Sequence, residues 1–132
     1  MAAEASRVVE LTEESFGRSI DGHPFAVVDF WAPWCAPCRA FAPVFATAAE
    51  RHLDALFAKV STEDQRSLAA QFNIRSIPTL MIFRDNIIVY AEAGALSASA
   101  LDAVLAAARS LDMAEVRREI ESRAAADPAA AT

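Results

Sequence analysis

Cysteine and glycine are both scarce in this sequence of 132 residues, which contains two cysteines and three glycines. Two cysteines cannot build the network of disulfides on which small domains without a sufficient core depend. Hydrophobic residues make up 55% of the chain, which excludes a disordered protein and is enough to bury a core. We therefore predict one domain that folds without a metal or a disulfide framework.

Positively charged residues are also few. The sequence has 12 Lys and Arg residues and 18 Asp and Glu residues, which gives a formal net charge of -6. Because binding to a phosphate backbone needs clustered cations, nucleic acid is not an expected partner. The sequence has no apolar run of the roughly 18 to 20 residues that span a membrane, and it does not open with a secretory signal pattern. We expect a cytoplasmic protein with no membrane partner. In that reducing compartment a close cysteine pair is more often catalytic or metal-binding than structural.

Hydrophobic periodicity predicts the element order βαβαβαββα with one further helix at the end. Strands are expected at 7–11, 25–31, 56–60, from 79 and at 87–93, and helices at 13–19, from 35 or 36, at 64–72, after 97 and at 113–123. Alternation of strands with helices predicts parallel pairing, whereas the Asp85-Asn86 turn predicts an antiparallel hairpin at the end. The expected fold class is therefore α/β, with a mixed sheet covered by helices on both faces.

Helix-capping residues set the expected boundaries. Thr12 is expected to cap the first helix, Ser97 the fourth and Asp112 the last. Residues 1–111 are expected to form the domain, 112–126 an added C-terminal helix and 127–132 a disordered tail. We expect the added helix to lie on the domain, with contact to a partner or dimerisation as alternatives.

The two cysteines are separated by two residues, in the stretch WCAPCR at 34–39. Thiol-disulfide exchange needs a thiolate that attacks, a second thiol that resolves the mixed disulfide, and a helix or cation that lowers the pKa of the attacker. With Cys35 at the N-cap of the long helix, the backbone N–H of Cys38 can point at the Cys35 sulfur and the helix dipole favours an anion there. Pro37 falls in the first turn, where its missing N–H costs nothing. We predict that Cys35 is the reachable nucleophile and Cys38 the resolving thiol one turn behind it.

Two other uses of the cysteine pair are less well supported. A structural zinc site needs four ligands, and only His23 and His52 remain, neither at a recognised spacing, so we predict no metal site. A purely structural disulfide across so short a loop would remove little conformational entropy from the unfolded chain, and it would be reduced in the cytoplasm.

Asp29 interrupts the buried run FAVVDFWA. An ionised carboxylate there would be costly to desolvate, so burial should raise its pKa toward neutrality. Because the strand leads toward Cys35 and Cys38, we assign Asp29 the role of general base toward Cys38. Lys59, in the predicted neighbouring strand, is the candidate that tunes it. A hydrogen-bonded structural acid is the alternative for Asp29, and a solvated strand-end cation is the alternative for Lys59.

Pro78 precedes the fourth predicted strand in the stretch SIPT. Only about 5 to 6% of X–Pro bonds in folded proteins are cis. The local sequence taken alone therefore predicts a trans bond between Ile77 and Pro78.

Four stretches together resemble the thioredoxin family, over about residues 8–111. These are VVDFWAPWCAPC, FAP, IRSIPTLMIF and AGAL, in the order and spacing of that family. The resemblance implies the thioredoxin fold, with a mixed five-stranded sheet flanked by helices. It also implies that the Ile77-Pro78 bond is cis and faces the cysteines, against the local prediction.

The resemblance further implies a docking surface for extended substrate segments, which pair with the backbone at Ile77 by strand addition. That apolar surface would consist of Trp34, Pro37, Ile77, Pro78, Gly94 and Ala95. Trp31 matches a partly buried aromatic residue under the site, and its role could equally be packing alone. Asp29 and Lys59 match the family's buried acid and lysine.

The sequence departs from the most familiar members at several positions. Ala36 replaces a glycine, which would change the redox potential modestly. Ser61-Thr62-Glu63 replaces an acidic stretch, and Asn86 replaces a hairpin glycine, changes expected to affect the surface and the turn. A second type of bacterial thioredoxin, which this chain resembles, carries an N-terminal zinc ribbon, and this sequence has no further cysteines to form one.

The resemblance implies a monomeric protein-disulfide reductase that is itself reduced by thioredoxin reductase. Its redox-active group is the Cys35-Cys38 dithiol, so no bound cofactor is expected. Two alternatives remain: a net oxidase or isomerase on the same fold, and a binding or holdase module without redox turnover.

Overall fold

The computed structural model describes residues 6–126, and the expected tail at 127–132 lies outside them. Its strands are β1 (Val9–Glu10), β2 (Phe25–Trp31), β3 (Leu56–Ser61), β4 (Thr79–Arg84) and β5 (Ile87–Ala93). Its helices are α1 (Phe16–Asp21), α2 (Ala36–Arg51), α3 (Arg66–Gln71), α4 (Ala98–Arg109) and α5 (Met113–Ala126). The element order matches the prediction from periodicity, including the added helix at the end.

The strands form one mixed sheet in the order β1-β3-β2-β4-β5. β3 pairs in parallel with both β1 and β2, whereas β4 is antiparallel to β2 and to β5. The α/β class and the mixed sheet are confirmed.

The direction of β4 differs from the parallel pairing that alternation predicts. The connection between β3 and β4 contains only α3, a helix of six residues, which rises about 9 Å. A six-residue strand such as β3 spans about 20 Å, so this helix does not carry the chain back along the sheet. The register pairs Thr79 with Phe30, and β4 thus begins at the edge where β2 ends.

Two apolar clusters fill the two faces of the sheet. One lies between the sheet and helices α2 and α4, and includes Phe41, Phe45, Leu101 and Leu105. The other lies beneath α1 and α3 and includes Phe16. The central strand β2 contributes to both clusters, because its residues alternate between the faces and all but Trp31 are buried.

The first helix begins later than predicted. Thr12 does not cap the helix as predicted, because the N-cap of α1 is Ser15. The Thr12 hydroxyl instead accepts from the Ser15 N–H (3.2 Å), while the Ser15 hydroxyl accepts from the Thr12 N–H (3.0 Å). This reciprocal pair closes residues 13–15 into a turn, and the regular helix starts at Phe16. Leu11 and Phe16, which flank the turn, are both buried in the same cluster.

The later boundaries follow the chemistry of caps and turns. The Ser97 hydroxyl accepts from the Ala100 N–H, and the Asp112 carboxylate accepts from the N–H groups of Ala114 and Glu115. Asp85 and Asn86 have φ values of 52° and 68°, as a tight hairpin turn between β4 and β5 requires. None of the helices within residues 6–126 is long and apolar enough to cross a membrane.

Candidate active site

Cys35 lies at the junction between β2 and α2, as the sequence predicts. Its backbone is extended, with φ -87° and ψ 112°, and its sulfur accepts a hydrogen bond from the Cys38 N–H at 3.2 Å. Cys35 is thus the N-cap of a helix of 16 residues, whose free N–H groups and dipole favour negative charge on the capping atom. A thiolate at this position has its charge stabilised before any substrate arrives.

The two cysteines are joined by a disulfide, with 5.2 Å between their Cα atoms. Pro37 occupies the first turn of α2 between them and, like Ala36, is exposed. Both cysteines are buried, with 5% of the surface of Cys35 and 2% of that of Cys38 accessible. Both pack against Ala32, Trp31 and Ile77.

The segment before β4 faces the disulfide. The Ile77-Pro78 peptide bond is cis, so the expectation from the family resemblance is confirmed and the local prediction of a trans bond is wrong. The carbonyl oxygen of Ile77 lies 3.7 Å from the Cys35 sulfur. A hydrogen bond from the Gly94 N–H to the Pro78 oxygen (2.8 Å) ties the end of β5 to this segment. Gly94 has φ 114°, which its lack of a Cβ permits, and Ala95 follows it at the surface.

Trp34 is a large exposed side chain beside the disulfide, with 64% of its surface accessible. Its indole N–H donates to the Glu63 carboxylate at 3.0 Å. Glu63, which the sequence predicts to affect only the surface, lies at the site in the structure. The parallel pairing of Trp31 with Ser61 places the chain after β2 beside the chain after β3, and this register is the signal that could have revealed the contact.

A second contact that the sequence does not indicate comes from Arg39. Its guanidinium donates to the Pro33 carbonyl at 2.9 Å and so links the first turn of α2 to the loop before Cys35. The contact depends on the path of that loop, for which no sequence pattern gives a signal.

Asp29 is buried near the end of β2 with 4% of its surface accessible. Burial is the main cause that raises its pKa to about 7, and the positive charge of Lys59 opposes this rise in part. One carboxylate oxygen, Oδ1, is buried and has no hydrogen-bond partner among residues 6–126. The carboxyl group can therefore gain and lose a proton near neutrality, as its position in a buried apolar strand predicts.

A small cavity of about 130 Å³ lies against Asp29 and Lys59. Its other lining residues are Ser6, Val8, Ala42, Phe45 and Ala46. Cys38 stands four residues before Ala42 on α2, which places it one helical turn away on the same face of the helix. The geometry thus aligns the acid, the cavity and the second cysteine along one side of α2.

Lys59 and Trp31 meet on this face of the sheet. The register of β2 and β3 pairs Asp29 with Lys59, and the Lys59 ammonium lies 4.7 Å from the centroid of the Trp31 ring. Trp31 is partly buried. Within the described range, no three His, Cys, Asp or Glu side chains are grouped as a metal site would require.

Comparisons with known proteins agree with this geometry. The sequence model of the thioredoxin family matches residues 7–107. The chain belongs to the thioredoxin family. It is 49% identical to a Streptomyces coelicolor protein provisionally named thioredoxin 2, over 89% of this chain and 87% of that one. It is 41% identical to the thioredoxin of Porphyra purpurea, over 74% of this chain and 94% of the relative.

Solved thioredoxin structures have the same fold. A mutant thioredoxin from Halobacterium salinarum superposes with a TM-score of 0.73 at 28% identity, over 79% of this chain and 92% of that one. The paired cysteines at the helix start, within this family and fold, make the protein a CxxC protein-disulfide oxidoreductase.

Proposed function

We propose that the protein works in the cytoplasm as a net reductant of disulfides in other proteins. The observation that carries the proposal is the sulfur of Cys35, which caps α2, accepts from the Cys38 N–H and lies beside the Ile77 carbonyl. An anion is stabilised at this point, next to a backbone segment that can pair with an extended substrate.

The reaction takes two exchange steps. In the reduced protein, the Cys35 thiolate attacks one sulfur of the target disulfide, the target S–S bond breaks, and its other sulfur leaves as a thiolate that takes a proton from water. Cys38 then gives its proton to the Asp29 carboxylate and attacks the Cys35 sulfur. The mixed disulfide breaks, the second target thiolate leaves and is protonated, and the Cys35–Cys38 disulfide holds the two oxidising equivalents.

The residues around the disulfide supply the docking surface. Trp34 and Pro37, which flank Cys35 in the chain, are exposed, as are Gly94 and Ala95 at the end of β5, whereas Ile77 is partly buried and Pro78 is buried. A target segment that pairs with the Ile77 backbone through main-chain hydrogen bonds lies next to the Cys35 sulfur. This pairing does not depend on the side chains of the target. This suits a reductant of many different proteins.

The electrons must return to Cys35 and Cys38 after each cycle. No bound cofactor is needed for this, because the dithiol itself stores two electrons. We assign the return step to thioredoxin reductase, a flavoenzyme that uses NADPH.

Reduction of insulin, with thioredoxin reductase and NADPH, tests the proposal directly. We expect NADPH consumption that depends on both insulin and this protein, and no activity for the Cys35→Ser variant. Absence of turnover by the wild-type protein would favour a binding module. A strongly oxidising reduction potential would favour a net oxidase instead.

The assignment of the two cysteines has its own test. Cys38→Ser should accumulate a mixed disulfide with a target protein, because nothing resolves the bond that Cys35 forms. Cys35→Ser is the matched control and should accumulate none. Mixed disulfides formed through Cys38 in that control, detected by non-reducing electrophoresis and mass spectrometry, would reverse the two roles.

A further inference from the structure

Lys59 has two possible partners on the face of the sheet that α2 covers. Asp29 and Trp31 are two residues apart on β2, so both side chains point to that face, and the register places Lys59 directly opposite Asp29. Its ammonium nevertheless lies over the Trp31 ring, 4.7 Å from the centroid. Within residues 6–126 no ion pair shorter than 4.0 Å joins Lys59 to Asp29. The ring therefore competes with the carboxyl group for the cation.

Few other charges act on this pair. Glu10 on β1 is opposite Lys59 on the far side from Asp29, and its side chain is exposed. Leu80 on β4 is the other neighbour of Asp29. On the helix side, α2 contributes Ala42, Phe45 and Ala46 around the cavity and the Cys38 sulfur one turn earlier.

The N-terminal segment also borders this cavity and contains one cation, Arg7. The Arg7 guanidinium is bound to the carbonyl oxygen of Ala49, near the C-terminal end of α2. Lys59 is thus the cation placed to act on Asp29, and it is the only lysine in the sequence.

We propose that Trp31 is a positioning residue, whose ring holds the Lys59 ammonium away from the Asp29 carboxyl group and so sets how strongly the lysine acts on it. The proposal rests on the role of Asp29 given above. Coulomb attraction falls with distance and is strong in a desolvated site, so a small movement of the ammonium changes the proton affinity of the carboxylate. Held over the ring, the lysine leaves Asp29 basic enough to accept the Cys38 proton. A closer ammonium would make it a weaker base.

The unique lysine makes the contact directly measurable by NMR. In the oxidised full-length protein, where neither cysteine titrates, we expect the Lys59 ε-methylene protons to be shifted upfield by the Trp31 ring. In Trp31→Leu this shift should be lost. The Asp29 carboxyl carbon, followed across pH in the same sample, should report a pKa lower by roughly half a unit or more, because the freed ammonium can approach the carboxylate.

A double-mutant comparison separates this mechanism from a change in burial. In the Lys59→Met background, Trp31→Leu should leave the pKa of Asp29 almost unchanged, since no ammonium remains to be moved. Trp34→Leu removes an exposed tryptophan next to the same site and is the matched control, with no expected effect on either signal. If Trp31→Leu is poorly folded, Trp31→Phe gives a smaller change of the same sign.

Three results would contradict the positioning role of Trp31. An equal change in the pKa of Asp29 with and without Lys59, a change in the opposite direction, or Lys59 signals without an upfield shift would each overturn it. The role of Asp29 as a base is tested separately, by the pH dependence of disulfide reduction in Asp29→Asn. The positioning role of Trp31 and the base role of Asp29 can therefore be disproved independently of each other.

Discussion

The Asp29 side chain links function to stability at the scale of a single residue. Its pKa is about 7 in the folded protein, against 3.8 for an unperturbed carboxyl group, because burial penalises the charged form. The folded state therefore keeps its proton between pH 4 and 7, where the unfolded state has lost it. Stability from this group is greatest at low pH and falls as the pH rises toward 7.

We expect Asp29→Asn to remove this pH dependence. Between pH 5 and pH 8 the wild-type protein should lose on the order of 2–3 kcal/mol of unfolding free energy relative to the variant, since one pKa unit corresponds to about 1.4 kcal/mol. Chemical denaturation of both oxidised proteins at the two pH values measures the difference. Asp64→Asn, which makes the same change at an exposed position, is the control. Identical pH dependence of Asp29→Asn and wild type would contradict the raised pKa.

Single residues also show what the sequence could and could not reveal about the site. Asp29 was recognisable because one acid within a run of apolar strand residues has few explanations. The cis bond at Pro78 had no local signal and came only from the family resemblance. The contact of Glu63 with Trp34 depends on the register between two strands that are distant in sequence, which no local pattern encodes.

At the scale of elements, two helix N-caps should differ in how much they contribute to the free energy of unfolding. The Ser97 hydroxyl caps α4, a helix that buries Leu101 and Leu105 in the core. Asp112 caps α5, which buries only Met113 among its residues. A cap stabilises the whole protein more when its helix unfolds together with the core than when the helix frays on its own.

We therefore expect Ser97→Ala to lower the unfolding free energy by about 1 kcal/mol, measured by urea denaturation. Ser67→Ala, at an exposed position in α3 away from this cap, is the control and should have little effect. Asp112→Ala should speed hydrogen exchange at the first amides of α5 and lower the unfolding free energy by less than Ser97→Ala does, since Met113 is the only residue of α5 that is buried. A global loss from Asp112→Ala as large as that from Ser97→Ala would show that α5 unfolds with the core.

Elements with strong periodicity were predicted more accurately than short ones. The central strand β2 and the start of α2 followed from a continuous apolar run and from the cysteine and proline at the helix start. The start of α1 was wrong by three residues, because the hydrogen bonds between Thr12 and Ser15 close a turn first. The direction of β4 was wrong because helix length, rather than apolar pattern, decides whether the chain returns along the sheet.

At the scale of the whole molecule, α5 and the cysteines lie at opposite ends of the β4–β5 hairpin. Ala93 pairs with Thr79 beside the cis bond, whereas Ile87 pairs with Arg84 at the far end, about 20 Å away along the strand. Arg117 of α5 forms an ion pair with Asp85 at that far turn, and Val116 and Ile120 line a groove with Ile87 and Ile88. The match to the family ends at residue 107, before α5 begins.

We propose from this arrangement that residues up to 111 suffice for catalysis and that α5 adds stability. A chain ending at Leu111 should reduce insulin with kcat/KM within about twofold of the full-length value, because no group at the disulfide is removed. Its unfolding free energy should fall by about 1.5–3 kcal/mol, the contribution expected for burying a side chain such as Met113. Met113→Ala in the full-length chain is the control and should reproduce much of that loss with unchanged activity. If the shortened chain is folded by circular dichroism but fails to reduce insulin, α5 belongs to the catalytic unit and the division at residue 111 is wrong.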